Sequence, residues 1–177
     1  MSTQAVLNTR TQLTLFVAPP AAEILEPLRR TLDPVQSRLI SAHVTLCRED
    51  ELVGLSTDDI GARLEKALPG PLTLAFGMAE VFQGHGVLLP CVAGEVEFQA
   101  LRNIVLGTER ARRHTPHLTL AHPRNPRAPD NNPATLLMVP SSLSVTFTMV
   151  SLIHQHVGKP WRVLTEYAVS GSGRSEA

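Results

Sequence analysis

Hydrophobic and polar residues alternate in several short segments, and this period of two is typical of a β-strand with one buried face. In residues 12–18, Leu13, Leu15 and Val17 share one face, while the polar side of that strand also carries Phe16. The same period predicts further strands over residues 41–47, 72–82, 87–92, 115–121, 143–153 and 161–169. Residues 72–82 and 87–92 are close enough in sequence to form a hairpin.

The segments between these strands predict three helices. The first begins after Pro19–Pro20, and Pro27 is expected to kink or shorten it. The second starts at the N-cap residue Ser56, with Asp59 three residues later in a variant of the capping box, and the third covers Glu95–Leu106. The hydrophobic face of the first helix is predicted to contain Ile24, Leu25, Leu28 and Leu32.

Two strand–helix–strand units follow from this order, and each ends in a strand with a similar tetrapeptide. The tetrapeptides are His43-Val44-Thr45-Leu46 and His117-Leu118-Thr119-Leu120, which indicates an internal duplication. Because side chains alternate along a strand, each histidine shares a face with its threonine, and the two apolar residues face the core.

Two such strands that face each other across a cleft would present two imidazoles and two hydroxyls to one ligand. Cleavage of a phosphodiester needs groups of this kind. A neutral imidazole accepts a proton from the attacking oxygen, and an imidazolium gives one to the leaving oxygen. The hydroxyls of Thr45 and Thr119 would donate to the non-bridging phosphate oxygens as these gain charge. The near-symmetry of the motifs leaves open which of His43 and His117 is the acid and which is the base.

At these residues the chain resembles the 2H phosphoesterases, the 2′–5′ RNA ligase-like or cyclic phosphodiesterase group, whose signature is a pair of His-x-Thr/Ser-x motifs. Residues 15–20 and 161–169 are similar to the first and last strands of that family. The resemblance implies a bilobal α+β fold in which two curved antiparallel sheets surround a central cleft, with helices outside. It also implies chemistry without a metal or cofactor on 2′,3′-cyclic or 2′–5′ phosphodiesters of a nucleotide or RNA end.

Composition and charge narrow the class of protein further. The 177 residues, 43% hydrophobic and 18% charged, fit one globular domain over residues 1–170 with two pseudo-symmetric lobes, followed by a flexible tail at 171–177. The 16 basic side chains balance 16 acidic ones, which argues against binding nucleic acid through a large basic surface. Cys47 and Cys91 lie in apolar runs and no segment fits a membrane span or a signal peptide, so we expect a cytoplasmic monomer.

Four other residues are candidates for contacts with the substrate. Phe16 and Phe82 are candidates to stack on a nucleobase, with ordinary core packing as the alternative. His122 and Arg124 follow the second motif and are candidate phosphate contacts, with solvent-exposed loop positions as the alternative.

The leading hypothesis is therefore a phosphodiesterase that hydrolyses a 2′,3′-cyclic phosphate or a related RNA-type phosphodiester without a metal. One alternative is a non-catalytic module of the same fold that only binds a nucleotide. The other is a metal-dependent phosphohydrolase with ligands among His114, His117, His122 and His154, although no histidine, cysteine and carboxylate set has the spacing of a known metal site.

Overall fold

The computed structural model describes residues 9–67, 69–83, 86–123 and 137–169. Its strands are β1 (Thr9–Phe16), β2 (His43–Cys47), β3 (Leu72–Phe76), β4 (Glu80–Phe82), β5 (Gly86–Ala93), β6 (His117–Ala121), β7 (Leu143–Phe147), β8 (Met149–His156) and β9 (Arg162–Ala168). Its helices are α1 (Ala21–Leu32), α2 (Pro34–Ser37), α3 (Thr57–Ala67) and α4 (Glu95–Leu106), and a 3-10 helix covers Glu49–Glu51. None of the helices in these ranges is long and apolar enough to cross a membrane.

The strands form two antiparallel sheets, which confirms the α+β class. The first sheet has the order β2-β1-β8-β9. In the second sheet the order is β4-β5-β3-β7, and β6 also pairs with β5. Strand β2 of the first sheet and strand β6 of the second lie next to each other, so the two sheets meet at the strands that carry the histidine motifs.

The hydrophobic core fills the inner faces of both sheets. The alternation predicted for the motif strands is observed, since Val44 and Leu46 are fully buried, and Leu118 and Leu120 are 1% and 2% exposed. These buried residues fix which face of each strand is turned away from the core, and therefore on which side the histidines and threonines lie.

Helix α1 differs from its prediction in two respects. Pro27 does not shorten it, since the helix continues through this exposed residue to Leu32. Ile24, predicted in the hydrophobic face, is 44% exposed, whereas Arg29 is buried. The buried face is thus rotated toward Arg29. The buried guanidinium of Arg29 is hydrogen-bonded to Glu26 and to the carbonyl of Ile40, which a side chain of isoleucine could not do.

The predicted strand over residues 143–153 is wrong as one element. It is divided at Thr148 into β7, which pairs with β3, and β8, which pairs with β1 and β9. The chain therefore passes from the second sheet to the first within a single segment of alternating apolar and polar residues. Similarly, residues 72–82 form two short strands, with Gly77 between them at a point where a Cβ atom would lie 2.9 Å from Val92 Cγ1.

Two local predictions are confirmed. Helix α4 has the predicted bounds. At the start of α3, the amide of Asp59 donates to Ser56 Oγ at 3.1 Å and Asp59 Oδ2 accepts from the amide of Ser56 at 3.0 Å, as a capping box requires. The predicted tail at 171–177 lies outside the described residues.

Candidate active site

The two histidine motifs occupy equivalent positions in the two sheets. His43 is the first residue of β2 and His117 is the first residue of β6. In both strands the histidine and threonine are half-buried, and the intervening apolar residues are buried. Each strand therefore presents an imidazole and, two residues later, a hydroxyl on the face that is directed away from the core.

The two imidazole rings are held by the same hydrogen bond. His43 Nδ1 lies 2.8 Å from the carbonyl oxygen of Ser41, and His117 Nδ1 lies 3.0 Å from that of Thr115. Because a carbonyl oxygen only accepts hydrogen bonds, Nδ1 must carry a proton in both rings. This fixes the neutral tautomer and leaves Nε2 of each ring as the nitrogen that can accept or donate a proton to a ligand.

The motifs line one cleft, which consists of two adjoining parts of about 630 and 410 Å³. Both parts are lined by Thr45, His117 and Thr119, and the smaller part is lined by His43 as well. The predicted catalytic residues are thus brought together across the junction of the sheets, within reach of a ligand of nucleotide size.

Charge and burial act on His43 in the same direction. Burial and, to a smaller extent, the nearby positive charges of Arg29 and His117 lower the pKa of His43 to about 4, against the opposing effect of the Ser41 carbonyl. His43 is therefore neutral at pH 7, with a lone pair on Nε2.

Comparison with protein-family models identifies one match. Residues 16–159, which include both motifs, match the model of the 2′-5′ RNA ligase superfamily. The chain belongs to this superfamily. The match confirms the resemblance to the 2H phosphoesterases that the motif pair indicates.

Solved structures with the same fold include Escherichia coli LigT complexed with ATP, which is 16% identical with a TM-score of 0.61, and LigT complexed with 3′-AMP, which is 19% identical with a TM-score of 0.59. The protein TT0787 of Thermus thermophilus is 17% identical with a TM-score of 0.53. Each alignment covers 92% of this chain, with 98% of the first LigT chain and 99% of the other two chains. A search of curated proteins gives no match.

Of the four residues predicted to contact the substrate, two line the cleft. Phe82 and His122 line the cleft. The ring of Phe16 meets that of His43 edge to face, with centroids 6.3 Å apart, and Phe16 lines a neighbouring groove together with Trp161. Arg124 lies outside the described residues.

An ion pair in α1 supports the first motif. Arg29 Nη1 lies 3.0 Å from Glu26 Oε2, and Arg29 Nη2 donates to the carbonyl of Ile40 at 2.9 Å. Glu26 Oε1 in turn accepts from the amide of Ala42 at 2.5 Å. The pair therefore holds the backbone that leads into His43. In the sequence, this pair is indicated only by the spacing of three between two opposite charges on one helix.

A second buried arginine connects the two motif regions. Arg102, in α4, is fully buried and donates from Nη1 to the carbonyl of Leu46 at the end of β2. Its Nη2 donates to Glu51 Oε1 at 2.5 Å and to the carbonyl of Arg112 at 2.9 Å, five residues before His117. Arg102 thus joins the chain that follows the first motif to the chain that precedes the second. No sequence pattern predicts this, because the partners are distant in sequence.

The cleft is also lined by residues that the sequence did not indicate as contacts, among them Arg10, Gln12, Arg48, Glu49, Asp50 and Trp161. Arg10 and Gln12 fall on the polar side of β1 together with Phe16, so the alternation contained a signal for them. Arg10 was not included because the strand begins at Thr9, three residues before its predicted start, whereas Gln12 is the first residue of the predicted strand and lies on its polar face.

The histidines outside the motifs form pairs. The rings of His154 and His156 on β8 lie 5.2 Å apart at 90°, and those of His114 and His117 lie 5.9 Å apart at 58°. His114 precedes β6 and is therefore not part of the strand, so its ring can contact that of His117 although the two residues are three positions apart. Within the described ranges, no group of three or more histidine, cysteine, aspartate and glutamate side chains is arranged to hold a metal ion.

Proposed function

We propose that the protein is a metal-independent phosphodiesterase that hydrolyses a 2′,3′-cyclic phosphate or a related RNA-type phosphodiester. The observation that carries this proposal is the pair of imidazoles, each fixed through Nδ1 to a backbone carbonyl and each followed by a threonine on the same face of one cleft. Two oriented Nε2 atoms supply a proton acceptor and a proton donor, which hydrolysis of a phosphodiester requires.

The reaction begins with a water molecule that attacks the phosphorus atom. The neutral imidazole accepts a proton from this water at Nε2 as the new P–O bond forms. The imidazolium gives its Nε2 proton to the ribose oxygen as the opposite P–O bond breaks, so the cyclic diester becomes a phosphate monoester and the two rings have exchanged protonation states. His43, whose pKa burial lowers to about 4, is neutral before the substrate binds.

The hydroxyls of Thr45 and Thr119 act on the phosphate between the rings. A cyclic diester carries one negative charge over two non-bridging oxygens, and these oxygens gain charge in the pentacoordinate transition state. Donors already directed at them bind the transition state more tightly than the substrate, and this difference accelerates the chemical step.

A nucleotide is the substrate class that the cleft and the relatives support. LigT of the same fold has been crystallised with 3′-AMP and with ATP. The cleft of this protein is lined by polar side chains together with the aromatic rings of Phe82 and Trp161, a combination that suits phosphate and base. We propose an RNA end or nucleotide with a 2′,3′-cyclic phosphate or a 2′–5′ linkage as the partner.

The test is turnover of a panel of substrates by protein that has been treated with chelator and dialysed. The panel contains 2′,3′-cyclic mononucleotides, 2′–5′ dinucleotides and RNA that ends in a cyclic phosphate, with products identified by mass and by phosphate position. Hydrolysis at an unchanged rate after chelation is the expected result. Saturable binding without turnover would instead indicate a nucleotide-binding module. Activity that chelator abolishes and zinc or manganese restores would indicate a metallohydrolase.

A further inference from the structure

One end of the cleft holds a cation that the proposed chemistry does not use. Arg10, on β1, lines both parts of the cleft. Its Nη2 donates to Gln155 Oε1 at 2.5 Å, and its guanidinium lies over the ring of Trp161, 5.5 Å from the ring centroid. The arginine side chain is exposed, yet two neighbours hold it in one orientation.

Gln155 is built to fix this orientation. It is 2% exposed, and its Nε2 donates to the carbonyl of Lys159 at 2.6 Å. With its nitrogen engaged there, its oxygen is directed at Arg10. A buried carboxamide and an aromatic ring thus position the guanidinium, and neither neutralises it. Among the described residues, no carboxylate oxygen lies within 4.0 Å of Arg10. An oriented guanidinium with its charge unpaired is a good site for a phosphate, which accepts two parallel hydrogen bonds.

The position of Arg10 relative to the motifs gives the size of the ligand. Thr14 of β1 is paired with Thr45 of β2, and Arg10, Gln12 and Thr14 lie on the same side of β1. The four residue-to-residue steps from Thr14 to Arg10 span about 13 Å of strand. Gln155, which binds the guanidinium, is paired with Arg10 across β1 and β8, so the guanidinium stays at the Arg10 end of this span and away from the phosphate that the two imidazoles flank.

We propose that Arg10 forms a second phosphate subsite, so that the preferred substrate carries another phosphate beside the cyclic one. This inference rests on the proposed function. The second phosphate is either the internucleotide phosphate of an oligonucleotide end or a 5′-terminal phosphate, since both present the same oxygens to a guanidinium. A 2′,3′-cyclic mononucleotide without a 5′-phosphate lacks this group and is a poorer substrate.

The experiment compares kcat/KM for three substrates: 2′,3′-cyclic AMP, the same nucleotide with a 5′-phosphate, and an adenosine dinucleotide that ends in a 2′,3′-cyclic phosphate. The preference is the ratio of kcat/KM for each of the last two to that for the first. We expect Arg10→Gln to lower this ratio by about 10–100-fold, the loss of one or two charge-assisted hydrogen bonds. Arg30→Gln, which removes the same charge from an exposed position on α1, is the matched control and keeps the ratio of the unchanged protein.

A second readout does not depend on turnover. Trp161 is the single tryptophan of the chain, and it contacts Arg10. We expect its fluorescence to change on titration with adenosine 2′,5′-bisphosphate at concentrations where adenosine 2′-phosphate has no effect, and Arg10→Gln to weaken that binding. A preference for the 5′-phosphorylated mononucleotide alone identifies a terminal phosphate, a preference for the dinucleotide alone identifies an internucleotide one, and equal preferences show that the subsite binds both.

Equal kcat/KM values for the three substrates, or an equal loss on all three in Arg10→Gln, would overturn the subsite while the proposed hydrolysis stands. If the unchanged protein hydrolyses none of the three, the proposed function fails instead, and the fluorescence titration still decides whether Arg10 binds a second phosphate.

Discussion

His43 and His117 begin equivalent strands and make the same Nδ1 hydrogen bond, but their neighbours differ. His43 meets the edge of Phe16 and lies near Arg29, which with burial lowers its pKa to about 4. His117 instead lies beside the ring of His114, at 5.9 Å. The local strand geometry makes the two motifs alike, and the side chains packed around them make them different. Proton transfer in opposite directions needs such a difference.

His114 adds to this contrast. Burial lowers its pKa to about 4, and the positive charges of Arg48, Arg102 and His117 act in the same direction. Its Nε2 is buried without a hydrogen-bond partner in the described part of the chain. The neighbour of His117 is therefore the neutral imidazole of His114, whereas the neighbour of His43 is the phenyl ring of Phe16.

Removal of either motif imidazole is expected to have the largest effect. His43→Ala and His117→Ala should each lower kcat by about 10²–10⁴-fold, the usual contribution of a general acid or base. The double variant should be little worse than either single one, since the two rings act as a unit. Steady-state kinetics checks this, with His156→Ala, an exposed histidine of β8, as the control. Near-normal turnover by either single variant would break the proposed equivalence of the motifs.

Removal of the arginine that joins the two regions should be the next largest change. Arg102→Met leaves Glu51, which is 10% exposed, without its closest cation, and it removes donors from two carbonyls. We expect a loss of about 3–5 kcal/mol in the free energy of unfolding, measured by urea denaturation. Arg113→Met is the matched control, because the side chains of its ion pair with Glu95 are 79% and 35% exposed and Arg113 has no ion pair with Glu51, and we expect a loss below about 1 kcal/mol. Equal losses in the two variants would contradict the role of Arg102.

The threonines give a smaller effect that separates catalysis from binding. Thr45→Val and Thr119→Val keep the shape of the side chain and lose the donor, so kcat should fall by about 10–10³-fold with little change in KM. Thr→Ser at either position should retain most of the activity. A rise in KM with unchanged kcat would mean that the hydroxyls bind the substrate and not the transition state. Unequal effects of the two valine variants would sharpen the comparison, by showing which motif lies closer to the developing charge.

The dependence on pH is the smallest expected effect. The folded protein holds His43 neutral down to its pKa of about 4, whereas in the unfolded chain histidine binds a proton near pH 6.5. The unfolded state thus binds more protons in this window, so His43 should contribute a fall of about 2 kcal/mol in the free energy of unfolding as the pH drops from 6.5 to 4, and His114, whose pKa is also about 4, adds to it. Urea denaturation at several pH values measures this, and His43→Ala should show a shallower fall. An unchanged slope in His43→Ala would contradict the lowered pKa.

The sequence by itself determined the features that depend on neighbouring residues. Alternation placed His43 and Thr45 opposite Val44 and Leu46, and the buried residues of β2 and β6 agree with it. The caps of α3 and the bounds of α4 were also predictable, because a capping box and an apolar face need only residues within a few positions. The motif pair was sufficient to indicate the superfamily.

Only the tertiary structure decided which distant residues meet. Alternation is the same in every sheet, so it did not reveal that the chain changes sheets at Thr148. The hydrophobic face of α1 turned toward Arg29 because the carbonyl of Ile40 and the carboxylate of Glu26 bind its guanidinium. Arg10 and Arg102 received their positions from Gln155 and Glu51, which lie far away in sequence. Periodicity reports the environment of one face of one element, whereas the partner of a charge and the burial that shifts a pKa depend on how separate elements pack.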